Sequence, residues 1–165
     1  MSQEFEANTE GVDFVLVAYR EEGLWQLQEL EAEKAADVDE FAVELRRYPG
    51  DGGALGLVSI DEDFFLLVRV LGAEVRLLLS DVTAATSWPL ARSVVDRLGL
   101  PTPDDEDEYQ PAGDLSIVAD LGLGAMDLGA LIDDADLYPD EMLSDIAERA
   151  GFGQEFEAVV ATVST

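Results

Sequence analysis

The most regular hydrophobic pattern in the chain runs from Phe64 to Leu79, FFLLVRVLGAEVRLLL. If Gly72 and Ala73 are the central residues of a type II′ turn, which wants glycine first, the two arms pair as an antiparallel hairpin. Val70 then faces Val75, Val68 faces Leu77 and Leu66 faces Leu79, a wholly apolar face. On the other face Leu71 meets Glu74, Arg69 meets Arg76 and Leu67 meets Leu78. Side chains alternate along a strand, so this register lays one continuous apolar surface on a core. A slip by one residue would bury both arginines. Exposed and side by side, Arg69 and Arg76 repel by ~0.2–1 kcal/mol. Either nearby carboxylates neutralise them, or they meet an anion or a partner.

The preceding segments complete the pattern. Val12–Arg20 and Gly23–Leu30 read as a first hairpin, with Trp25 and Leu27 facing the core. Val38, Phe41, Ala42 and Leu45 fall on one helical face, so a helix is expected from Val38 to Tyr48. Asp37 and Glu40 resemble a capping box at its start. Pro49-Gly50-Asp51-Gly52-Gly53 ends it, Ala54–Ile60 is a third strand, and Asp61-Glu62-Asp63 is a charged turn into the central hairpin. A second helix is expected near Trp88, with Ser87 as N-cap, Pro89 in the first turn and Leu90, Val94, Val95 and Leu98 inward.

The resulting order, β-β-α-β-β-β-α with short connections, predicts an α+β domain over residues 12–99. Its sheet is expected to be five-stranded and antiparallel, with helices on it. Profilin and Roadblock-type domains share that order, which is an analogy of fold alone. Residues 1–11 read as disordered. Residues 100–113 read as a linker holding three prolines and the acidic run Asp104, Asp105, Glu106, Asp107, Glu108. Such a run stays extended and solvated. Residues 114–165 read as a small helical region. It has a Leu/Ala/Gly-rich stretch over Asp114–Leu131 and a helix beginning at Leu137-Tyr138-Pro139. Met142, Leu143, Ile146 and Ala150 face inward, Gly151 closes that helix, and a last one spans Gln154–Ala161.

Charge changes the picture more than length does. The 165 residues carry a net charge of −28. The first 97 hold −12 and the remainder −16. This balance opposes direct binding to a phosphate backbone or an anionic membrane surface. A basic protein partner fits it; so does the acidic proteome of a salt-tolerant organism, or simple solvation. There is no Cys and no His. Thiol nucleophiles, imidazole bases, disulfides and the usual zinc ligands are therefore missing. The N-terminus MSQEFEANTEG lacks the apolar core of a signal peptide, and no apolar run approaches the ~20 residues that span a bilayer. A cytoplasmic, non-enzymatic protein without cofactor is expected.

Two acidic groups attract attention. Asp133, Asp134, Asp136, Asp140 and Glu141 invite a calcium reading. An EF-hand starting at Asp134 would want glycine where Pro139 stands and glutamate where Asp145 stands. Helix capping and a solvated face explain these acids better. Gly50–Gly53 lacks the Lys-Ser/Thr of a P-loop, and Gly122-Leu123-Gly124 follows no parallel strand. Arg92 and Arg97 are explained by salt bridges on a helix. The residues left for contact with a partner are the run Asp104–Glu108, the group Asp133–Glu141, and Arg69 and Arg76.

Three phrases carry a family resemblance: LLLSDVTAATSWPL from Leu77, PAGDL from Pro111, and DLYPDEMLSDIAERAGFGQEF from Asp136. Together they are similar to the actinobacterial tRNA adenosine deaminase-associated proteins, over most of residues 12–160. No catalytic residue is carried over. A zinc deaminase needs His/Cys ligands and a H-x-E…P-C-x-x-C pattern, which this chain lacks. The resemblance thus implies an accessory protein bound to a protein partner, with the tRNA adenosine deaminase as candidate. The alternative is a Roadblock-like regulatory or scaffold module, acting as a homodimer and unconnected to tRNA editing.

Overall fold

The computed structural model of the chain describes residues 12–48, 50, 53–61, 63–101, 103, 110–134 and 136–163. The frame is a single antiparallel sheet in the order β2-β1-β3-β4-β5-β6. Its strands are β1 (Val12–Glu21), β2 (Leu24–Glu29), β3 (Ala54–Ile60), β4 (Phe64–Leu71), β5 (Glu74–Leu79) and β6 (Ala112–Gly113). The helices are α1 (Val38–Leu45), α2 (Pro89–Arg97), α3 (Ala125–Ile132), α4 (Pro139–Ala150) and α5 (Gly153–Val163).

The central hairpin has the register its alternation predicts. Val70 pairs with Val75, Val68 with Leu77, Leu66 with Leu79 and Arg69 with Arg76. Gly72 has φ 60° and Ala73 does not enter the positive region, as a type II′ turn demands. The first hairpin turns on Glu22 and Gly23, both left-handed at φ 53° and 82°. Two such residues make a type I′ turn, whose twist matches the strands.

The sheet has six strands rather than five. Ala112 and Gly113 pair with Leu79 and Leu78 along the outer side of β5. A two-residue strand has no periodicity to read, and its Pro/Gly surroundings look like linker. The glycine is required: Gly113 has φ 115°, and a Cβ there would lie 2.2 Å from the Leu77 carbonyl oxygen.

A second correction concerns the faces. Not one but both faces of the central strands are core. Val15, Val58, Leu66, Val68 and Leu79 lie under α1 and α2. Leu16, Leu57, Phe65, Leu67 and Leu78 lie under Ile117, Val118 and helices α3 to α5. Every residue of β3 is buried, and every residue of β4 but Leu71. Strands covered on both sides lose strict alternation and become continuous apolar runs, as FFLLV shows.

Helix entry follows local chemistry. The Asp37 carboxylate accepts from the N–H of Asp39 at 2.8 Å and of Glu40 at 3.3 Å, capping α1. The Phe41 ring of that helix rests on Gly56 of β3, where a Cβ would come within 2.5 Å of its Cζ. α2 starts at Pro89 with Trp88, not Ser87, as N-cap. The residues before it form a 3-10 turn, Val82–Thr86, capped by Asp81. The Trp88 indole N–H donates to Asp63 at 2.9 Å. The stretch over Asp114–Leu131 is not one helix: a 3-10 turn at Ala119–Leu121 stops at Gly122, φ 120°, and α3 begins at Ala125. Among the described residues no helix is long and apolar enough to cross a membrane.

Candidate functional site

Arg69 and Arg76 sit on the face of the sheet that the C-terminal half covers. Arg69 is only 4% exposed, so the expectation that both guanidiniums stay outside the core fails for it. Its charge is tolerated because Asp120 binds it in a two-pronged contact, Nη1 to Oδ1 at 2.5 Å and Nη2 to Oδ2 at 2.9 Å. Nη1 also donates to the Ile117 carbonyl at 2.9 Å. Arg76 donates through Nε to Asp114 at 2.7 Å and through Nη2 to the Ser116 carbonyl at 2.9 Å. The neighbouring arginines are thus each neutralised by a carboxylate from the segment after β6. The hydrogen bonds from Arg69 hold the Asp120 carboxyl below its ordinary value, against a smaller opposing effect of burial.

Of the acidic residues proposed for partner contact, the run Asp104–Glu108 lies outside the described residues. The second group divides. Asp133 closes α3 as its C-cap. Asp134 accepts the Asp136 N–H at 2.9 Å, and Glu141 accepts the Tyr138 N–H at 2.9 Å. These are a turn and a helix cap. Asp140, exposed in the first turn of α4, instead lines an open cleft. With Glu141 it also complements the positive end of the helix dipole.

That cleft is where four elements meet. Asp13 and Phe14 come from β1, Asp61 from the turn after β3, Tyr138 and Asp140 from the start of α4, and Val160 and Val163 from α5. Asp13 falls where the β1–β3 register shifts, and its carboxylate accepts the hydroxyl of buried Ser59 at 3.0 Å. Asp61 turns on a left-handed φ of 50°. Tyr138 is 53% exposed. Three carboxylates around an aromatic ring and valines suit a Lys or Arg side chain, whose stem lies on apolar surface while its head meets charge or a ring face. Among the described residues no group of three or more carboxylates is arranged to hold a metal ion. Asp13, Asp61, Tyr138, Val160 and Val163 were not expected from sequence, since residues so far apart share no local motif.

The phrases that suggested a family are the ones that build this frame. LLLSDVTAATSWPL is β5, the capped turn and the entry to α2; PAGDL is β6 and the Asp114 that holds Arg76. Residues 13–153 match the family described as Rv3753c-like tRNA adenosine deaminase-associated protein. The chain belongs to this family. Protein Rv3753c of Mycobacterium tuberculosis (strain ATCC 25618 / H37Rv) is 36% identical over 150 residues, covering 89% of this chain and 87% of that protein. No solved structure matches the chain. The family match runs from β1 to the end of α4.

Proposed function

We propose that this member of the family is a non-catalytic accessory protein that binds a basic protein partner, the tRNA adenosine deaminase being the first candidate. The observation that carries this reading is the chain's composition set beside its family. The family is named for association with a deaminase, and this chain has neither His nor Cys with which to hold a deaminase zinc. A net charge of −28 repels the RNA backbone and attracts a basic protein. Such a protein acts in the cytoplasm, on the enzyme rather than on the nucleic acid.

The test is reciprocal capture from the native cells. The tagged chain is expected to retain the deaminase, and the tagged deaminase to retain the chain. Absence of the pair in both directions overturns the reading. The purified chain is expected to convert no adenosine to inosine in tRNA and to hold no stoichiometric zinc by elemental analysis; one tightly held zinc per chain contradicts it.

A further inference from the structure

β2 is an edge strand, and its backbone can be accounted for residue by residue. The two-residue turn Glu22-Gly23 fixes Glu21 and Leu24 as a bonded pair. Bonded positions then recur at Gln26 and Gln28, and the series continues at Leu30, whose N–H donates to the Val15 carbonyl at 2.7 Å. Trp25, Leu27 and Glu29 therefore aim their N–H and C=O groups away from β1. Among the described residues no strand pairs with that outer side.

Proteins usually blunt such an edge with proline, lysine, a bulge or a covering element. β2, sequence LWQLQE, has neither proline nor lysine and pairs with β1 in unbroken register. Its inner face is packed, with Trp25 and Leu27 lying against the core beside α5. The Trp25 ring packs on Phe152 at 4.7 Å, and the Arg20 guanidinium lies over the same indole, 5.2 Å from the ring centre. The edge is thus a preformed template.

We propose that the free edge of β2 takes up an extended basic segment of a protein partner as a seventh strand. Main-chain bonds from Trp25, Leu27 and Glu29 supply the pairing. Charge selects the occupant. Glu21, Glu22, Glu29 and Glu31 are exposed along or beside the edge, and none is in an ion pair among the described residues. A second copy of this chain would set these carboxylates among their own kind, at −28 per copy. The inference rests on the basic-partner reading above and adds where and how the partner binds.

The test uses the full chain and a fluorescein-labelled octapeptide of alternating lysine and valine, with the glutamate–valine peptide as control. The basic peptide is expected to bind and to slow hydrogen exchange at the Trp25, Leu27 and Glu29 amides; the acidic one is not. Glu29→Pro removes an outward donor that β1 does not use, so the fold is retained. Glu29→Gln removes only the charge. Glu29→Pro is expected to weaken binding by about tenfold beyond the effect of Glu29→Gln, since it deletes a main-chain bond and crowds the incoming strand. Equal binding by the two variants overturns the proposal, as does binding without protection in β2, or no binding at all. Protection that rises with protein concentration alone, with a doubled mass in sedimentation, assigns the edge to a second copy and overturns the basic occupant. If the deaminase binds Glu29→Pro as it binds the native chain, the edge is refuted while the accessory role stands. If the peptide binds and the deaminase does not, the reverse holds.

Discussion

Replacing Asp120 by alanine should destabilise the chain through a residue 51 positions away in sequence. The change deletes both bonds to Arg69 and leaves the guanidinium its bond to the Ile117 carbonyl. Breaking a fully buried pair costs about 3–5 kcal/mol and an exposed pair ~0–1. Here the arginine side chain is 5% exposed and the aspartate 60%, so solvent screens one end only. An intermediate cost of about 1.5–3 kcal/mol follows. For a chain of this size each kcal/mol lowers Tm by roughly 2–4 °C. Urea denaturation should show a lower midpoint at an unchanged slope. The pH dependence gives a second check. The folded-state carboxyl of Asp120 lies below its ordinary 3.8, so its contribution is present above that value and is lost as pH falls through the lower folded value. Acidification also relieves the self-repulsion of a highly acidic chain, so only the difference between native chain and variant isolates Asp120. That difference should be constant from neutrality to about pH 5 and shrink below about pH 4. A variant within ~0.5 kcal/mol of the native chain, or a deficit that persists undiminished in acid, would refute the reasoning.

Other perturbations test other joints. Gly56→Ala drives a methyl into the Phe41 ring and should cost about 1–3 kcal/mol by urea denaturation, because α1 must lift from β3. A fragment of residues 12–99 would leave Leu16, Leu57, Phe65, Leu67 and Leu78 without their cover, so it should show no cooperative thermal transition and should bind a hydrophobic dye. Neutralising Asp104–Glu108 to Asn and Gln should leave the melting transition in place while flattening the salt dependence of partner binding.

Much of the first half was legible because its constraints are local. Gly72 fixes a turn, the turn fixes a register, and the register decides which side chains share a face. Asp37 and Pro89 mark helix starts within a residue of where they occur. What sequence concealed is the second layer. Alternation at Arg69 and Arg76 looks like a solvent face until Asp120 and Asp114 arrive from beyond β6 to neutralise it. β6 itself is two residues long, below any period, and is recognisable only by Gly113 lying against β5. The acids posed a different difficulty. Asp134, Asp140 and Glu141 look equivalent in the chain, yet Asp134 closes a turn, Glu141 caps a helix and Asp140 faces the cleft. Composition announces the charge and leaves its distribution to tertiary contacts.

The most direct test is a titration of the purified chain against the purified tRNA adenosine deaminase of the same organism, followed by association kinetics at ~0.1 M and ~1 M salt. Between those conditions the Debye length falls from about 10 Å to about 3 Å. A complex is expected at the lower salt, forming more slowly at the higher because steering by opposite charges is screened, and free tRNA is expected not to bind at physiological salt. No complex at low salt, or direct binding of the chain to tRNA, would contradict an acidic accessory protein. A complex indifferent to salt would show that the interface does not depend on the carboxylates of the chain.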